Sequence, residues 1–383
     1  MSDPGLVDRV RRRLAADTAD PTPQSVATAL RAEQRLTDSA TVLTLVDELR
    51  RETLGVGPLE PLLAVDGVTD ILVNGPDAVY LDRGGGLEHT RVRFPDDEAV
   101  RRLAQRLAAQ AGRRLDDASP WVDARLPDGT RLHAVLAPLA RPGTLVSLRI
   151  PARRTFTLEQ LVAAGTLTPG AARWLQRLID ARVAFVVSGG TGSGKTTLLA
   201  ALLSVCEPAE RLVIVEDATE LRPDHPHVVG LESRPANVEG AGLVTLRDLV
   251  RQALRMRPDR VVVGEVRGAE VVDLLAALNT GHEGGCGTVH ANSSSDVPAR
   301  FEALGVAAGL PRAAVHSQLG AGLDAVLHLG RDRSGTRRLQ QIGVLRADTN
   351  GLARTVAALT FADGVAEPGP GRDRLAELVG EGS

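Results

Sequence analysis

Residues 189–196 read GGTGSGKT and fit the pattern G-x-x-x-x-G-K-[ST] at Gly189, Gly194, Lys195 and Thr196. A backbone built from Gly189, Gly190, Thr191, Gly192, Ser193 and Gly194 can wrap closely and aim its amides at phosphate oxygens, forming an anion nest backed by a helix N-terminus. Lys195 would place a compact charge between the β- and γ-phosphates of ATP. The Thr196 hydroxyl would face Mg²⁺, and Thr197 is next in the same nucleotide-contacting run. The context suits the motif, because VAFVVS before it reads as a strand and TTLLAALLSV after it as a helix.

Phosphoryl transfer also needs acids to hold the metal and orient the attacking water. RLVIVEDATE ends its apolar run at Glu216 and Asp217, with Glu220 just beyond, and DRVVVGEVRG ends at Glu265. Ligands of open parallel sheets bind beyond the carboxyl ends of strands, so Glu216, Asp217 and Glu265 are candidate metal- or water-handling groups. In NTGHEGGCGTVHAN, His282 and His290 bracket a glycine-rich entry into an apolar strand. His290 reads as a γ-phosphate sensor at the strand end, with a hydrogen-bonded buried histidine as the alternative.

Composition narrows the classes. Of 45 Lys and Arg residues only Lys195 is lysine, so a compact ammonium is kept where a planar guanidinium would not serve. A formal charge of −3 and eight Phe, Tyr and Trp residues in 383 leave little for stacking or steering nucleic acid, so no direct nucleic-acid contact is expected. Cys206 and Cys286 are too few for a disulfide scaffold or a four-cysteine zinc site, and read as ordinary buried thiols. No apolar run reaches the length of a membrane span, and Arg11–Arg13 have no apolar stretch behind them. A cytosolic protein without a secretory signal is expected.

The elements that must position these residues fall into segments. Residues 1–52 read as a polar-faced helical extension, with helical periodicity over Leu6–Ala16, Pro23–Arg35 and Ser39–Glu52. Residues 53–150 mix short strands (Thr69–Val73, Val79–Asp82, Val122–Leu126, Thr130–Leu136, Leu145–Ile150) with a helix near Asp97–Ala111, an α+β pattern. Residues 151–157 form a connector. From 158 to 370 strands alternate with amphipathic helices, which predicts an α/β domain with a buried parallel-rich sheet, ending in strand runs at Leu339–Leu345 and Thr355–Phe361. Residues 371–383 read as a loose tail.

Taken together, these segments resemble the secretion ATPases of type II and type IV secretion and type IV pilus machines. GGTGSGKTT is similar to their Walker A, VIVEDATEL to an acidic Asp box, RPDRVVVGEVRGAE to an atypical Walker B with Gly264–Glu265, and TGHEGGCGTVHAN to a His box. Upstream, GVGPLEPLLAVDGVTDILVNGPDAVYLDRGG and WVDARLPDGTRLHAVLAPL resemble the amino-terminal domain of the tight-adherence (Flp/Tad) pilus branch, also associated with conjugal transfer in actinobacteria. The likeness covers roughly residues 50–330 and implies a RecA-like P-loop ATPase domain after a PAS-like α+β domain. It further implies a cytoplasmic homohexameric ring at the inner face of the membrane, attached through inner-membrane platform proteins and using ATP and Mg²⁺ for pilus assembly or secretion. It makes Glu216 the water-activating residue with Glu265 in support, although the residues themselves leave that division open. Arg125, Arg131 and Arg149 match arginines that the family's amino-terminal domain brings to the nucleotide. A nucleic-acid motor and a nucleotide-gated scaffold without turnover are the competing readings. The intact Lys195, Thr196, Glu216 and Glu265 argue against the scaffold.

Overall fold

The computed structural model describes residues 9, 13, 23–32, 55–151, 155–234, 236, 241–281, 284–332, 335–362 and 365–381. Of the expected helix over Leu6–Ala16 only Arg9 and Arg13 are described, both helical, while the expected helix over Ser39–Glu52, residues 152–154 of the 151–157 connector and His282 lie outside the described residues. Internal contacts divide the chain into two units, Met1–Ala152 and Arg153–Ser383.

In the first unit, helix α1 (Pro23–Ala32) precedes an antiparallel sheet of six strands: β1 (Asp70–Asn74), β2 (Val79–Asp82), β3 (Leu87–His89), β4 (Trp121–Arg125), β5 (Arg131–Val135) and β6 (Leu145–Arg149). Their order is β3-β2-β1-β6-β5-β4. Alternation of buried and open positions, clearest in β4 and β5, leaves one face for a core, as expected for a half-covered antiparallel sheet. Helix α2 (Asp97–Gln110) supplies Val100, Leu103 and Leu107 to that core, against Ile71, Val73, Leu132 and Leu148. Its start is fixed by Asp96, whose carboxylate accepts from the Ala99 amide at 2.7 Å.

The second unit holds nine strands in the order β15-β14-β13-β12-β7-β11-β10-β8-β9. β7 (Phe185–Gly189), β8 (Leu212–Glu216), β9 (Val228–Glu232), β10 (Arg260–Val266), β11 (Cys286–His290) and β12 (Ala325–Arg331) run parallel to their neighbours. β7 and β8 are buried at every position, the mark of strands covered on both faces. β13 (Arg337–Ala347), β14 (Ala353–Ala362) and β15 (Val365–Pro368) extend the sheet antiparallel. Helix α3 (Lys195–Ser204) follows β7 and buries Leu198, Leu199, Leu202 and Leu203. Cys206 and Cys286 are free and buried, as the sequence suggests, and burial pushes the Cys206 thiol up to about 11.

One segment differs from its expectation. The stretch after residue 371 carries helix α4 (Arg372–Leu378), whose Leu375 is fully buried. The Arg372 guanidinium lies 4.2 Å from the Trp174 ring centroid. Two turns of RDRLAEL are too short to show a helical period against polar flanks, which is why the sequence reads as a tail.

Candidate nucleotide-binding site

The parallel order brings the carboxyl ends of β7, β8, β10, β11 and β12 to one edge of the sheet. At that edge the Cα partners of Gly189 are His290 on β11 and Leu329 on β12. The loop from Gly189 to Gly194 then turns directly into α3, with Gly194 as its N-cap. Gly192 and Gly194 sit at φ +69° and +96°, a left-handed backbone that side chains resist, so these glycines are required by the turn. Lys195 is 7% exposed, and its ammonium donates to the carbonyls of Gly189 (3.1 Å) and Gly190 (2.9 Å). The Ser193 hydroxyl donates to the Gly190 carbonyl at 2.9 Å.

A histidine and an acid stand beside the lysine, and a second acid sits at the end of β8 on the same sheet edge. Glu265 Oε1 lies 3.1 Å from His290 Nε2, and the His290 ring nitrogens lie 3.5 Å from Lys195 Nζ. Burial lowers the Lys195 pKa, against the attraction of Glu265. Burial and the Lys195 charge together hold His290 below its ordinary value. Glu216, 5% exposed, accepts from the Glu220 and Leu221 amides at 3.0 Å each through Oε1. Burial outweighs those two hydrogen bonds and pushes its carboxyl up to about 7. A carboxyl that titrates near neutrality at the ligand-binding edge of a parallel sheet can take a proton from water, which is the chemistry of a general base. Adjacent Asp217 is spent differently: it pairs with Arg267 and accepts from the Ser233 hydroxyl at 2.9 Å.

A family model described as "Type II/IV secretion system protein" matches residues 52–360. The chain belongs to that family. A Mycobacterium tuberculosis protein named "Putative conjugal transfer protein" is 61% identical over 311 residues, covering 80% of this chain and 88% of the relative. The conjugal transfer protein TrbB of Rhizobium radiobacter is 31% identical, over 72% of this chain and 83% of its own. The pilus retraction motor PilT with bound ADP shares the fold at a TM-score of 0.53 and 18% identity, over 84% of this chain and 85% of its own. The Legionella pneumophila ATPase DotB does so at 0.52 and 18%, over 77% and 80%. The α/β class expected from the sequence, a RecA-like P-loop domain of the secretion-ATPase type, is therefore the one observed.

Within this type II/IV secretion family member the structure gathers Gly189–Thr196, Glu216, Glu265 and His290 at one sheet edge. Arg125, Arg131 and Arg149 belong to the other unit, where pairing places Arg125 opposite Arg131 and Arg131 opposite Arg149 in a single row. Arg149 bonds Asp70 at 3.1 Å, and Arg131 grips Asp123 at 2.8 and 3.2 Å. Among the described residues no group of three or more His, Cys, Asp and Glu could hold a metal. Mg²⁺ in such sites keeps several waters and takes one or two protein oxygens beside substrate phosphates. No helix among the described residues is long and apolar enough to cross a membrane. Sequence reasoning missed Arg267, which ties the Asp217 loop to the β10 loop, and Arg331, discussed below. Both lie at or just past strand ends, but only the strand order shows what they reach.

Proposed function

We propose that the chain is a Mg²⁺-dependent ATPase that powers pilus assembly or secretion, working as a cytoplasmic homohexameric ring bound to the inner membrane through platform proteins. The supporting observation is the grouping of Lys195, Glu265 and His290 at the carboxyl end of β7, with Glu216 at the carboxyl end of β8 on the same sheet edge, where parallel sheets take ligands.

In this reading the 189–194 amides and Lys195 receive the phosphates in place of the Gly189 and Gly190 carbonyls that now occupy the ammonium. Thr196 and Glu265 would hold Mg²⁺, which would neutralise the charge developing on the phosphates. Glu216 takes the proton of the attacking water, since a carboxyl protonating near 7 suits a base better than a metal ligand. Asp217, expected from the sequence as a further metal ligand, instead holds its loop through Arg267 and Ser233. His290 reports the terminal phosphate to Glu265. Arg125, Arg131 and Arg149 supply positive charge to the transition state.

A conjugal role has specific support, because the M. tuberculosis and R. radiobacter relatives carry conjugal-transfer names. Near-neutral charge and few aromatics favour action on protein partners over DNA itself. Phosphate release measured together with particle size, with and without ATP–Mg²⁺, tests the proposal. Turnover and a nucleotide-favoured ring support it; a chain that stays monomeric and releases no phosphate refutes it.

A further inference from the structure

The end of β12 carries an arginine that none of the motifs include. Alternate residues of a strand share a face, so Leu327, Leu329 and Arg331 project to the same side of the sheet. Leu327 and Leu329 belong to the core that also holds Leu198, Leu199 and Leu202 of α3, the helix that the phosphate loop enters. Arg331 therefore emerges over the loop itself. Its Nη2 donates to the Gly192 carbonyl at 3.0 Å, and its Nη1 donates to the Gly335 carbonyl at 2.9 Å. Directly across the β12–β13 ladder stands Arg337, whose Cδ would lie 3.4 Å from a Cβ placed on Gly194. One hairpin thus holds the loop at Gly192 and closes off the space beside Gly194.

Peptide geometry converts that brace into a consequence for the site. A trans peptide sets its C=O and N–H in opposite directions. Holding the Gly192 carbonyl toward Arg331 therefore turns the Ser193 N–H away from the guanidinium. The Ser193 amide has only a long 3.4 Å contact to the Gly190 carbonyl in this state, so little opposes its reassignment to an incoming anion. The positive φ of Gly192 lets the chain adopt this orientation but does not by itself select it. A charged donor anchored on a rigid strand does.

We infer that Arg331 is a positioning residue for nucleotide binding, orienting the Gly192–Ser193 peptide so that the phosphate nest is formed before the nucleotide arrives. The inference rests on the proposed nucleotide site and extends it to a β12–β13 hairpin outside the recognised motifs. Arg331 acts through the backbone and from the side of the loop that its carbonyl faces. Its effect therefore falls on the phosphates cradled by the loop amides and does not depend on the γ-phosphate.

Calorimetric titration of the full chain with Mg²⁺–ADP and Mg²⁺–ATP, comparing wild type with Arg331→Ala and Arg331→Lys, tests this. Loss of a charge-assisted hydrogen bond predicts a Kd roughly tenfold higher for both nucleotides in Arg331→Ala. Arg331→Lys, which keeps a cation but loses the planar guanidinium whose two ends reach the two separated carbonyls, should fall between. Thermal unfolding without nucleotide should match wild type, a readout that a purely structural brace would shift. Unchanged affinity in Arg331→Ala, a loss confined to ATP, or a weakening accompanied by an equal loss of nucleotide-free stability overturns the inference. Wild-type chain that takes up neither nucleotide removes the proposed site together with it, which separates the two failures.

Discussion

Glu216 lies across Gly264: a Cβ placed on that glycine would stand 2.6 Å from Glu216 Cγ and 3.0 Å from its Oε1. The two residues come from adjacent parallel strands, β8 and β10, and only a bare backbone at 264 leaves room for the carboxyl to reach the phosphate edge. The Gly264–Glu265 pair in place of an aspartate is thus tied to the neighbouring strand, whose Glu216 side chain crosses it. Gly264→Ala carries no left-handed backbone penalty, so its effect reports on Glu216 alone. We expect phosphate release to fall about 10²-fold or more while nucleotide binding persists, with an overpacking cost of about 1–3 kcal/mol read by denaturant unfolding. Wild-type turnover in that variant would detach Glu216 from the reaction.

A carboxyl raised to about 7 makes both rate and stability depend on pH. Activity should climb as Glu216 loses its proton through that value, and Glu216→Gln should flatten the profile at a residual rate. The stability sign runs the other way. The folded chain holds the proton more tightly than the unfolded chain, so the contribution is complete below the ordinary value of 4.5 and is lost as pH rises through about 7. Glu216→Gln, whose carbonyl can still accept the Glu220 and Leu221 amides, should therefore be the more stable chain at pH 8, by up to about 3 kcal/mol. Urea titrations at pH 5 and pH 8 measure this, and a gap that does not widen at the higher pH contradicts it.

Neighbouring acids should separate cleanly. Asp217→Asn removes one arm of the contact with Arg267 but leaves the Ser233 hydroxyl an acceptor, so turnover should drop no more than about tenfold. Glu216→Gln should cost about 10²–10⁴. Steady-state phosphate release for both variants at one saturating ATP concentration decides the order, and an equal or larger loss at Asp217 would return it to the metal site.

The arginine row of the amino-terminal unit makes a subunit-level prediction. If Arg131 serves a neighbouring subunit's nucleotide, Arg131→Ala should lower turnover about 10³-fold or more. Mixed rings that combine it with a Lys195→Ala chain should then recover part of the activity, because some interfaces regain an intact pair. Mixed-ring phosphate release that merely averages the two inactive parents would assign Arg131 to its Asp123 contact instead.

The site was legible wherever a residue's type and its neighbours in sequence carry the chemistry. GGTGSGKT needs its glycines and lysine consecutively, and the apolar runs before Glu216, Glu265 and His290 end at or within a residue or two of the strand ends observed. What escaped depends on strand order. The run Ala325–Arg331 is short, apolar and ambiguous between strand and helix, and nothing in it reveals that Leu329 pairs with Gly189. Without that pairing Arg331 is one arginine among many. The same blindness hid the crossing of Glu216 over Gly264, since 48 positions separate residues that the sheet makes neighbours. In the amino-terminal unit the alternating pattern of β4 and β5 was readable, but the common row of Arg125, Arg131 and Arg149 follows from register alone.

In the proposed function the loop before α3 holds a magnesium-bound nucleotide through Lys195. Isothermal titration of the full chain with Mg²⁺–ATP tests it most directly, with Lys195→Ala run alongside and its folding verified by circular dichroism. We predict saturable uptake by the wild type and a loss of affinity of roughly a hundredfold in the folded variant. Equal uptake by both proteins, or none by the wild type, would contradict it.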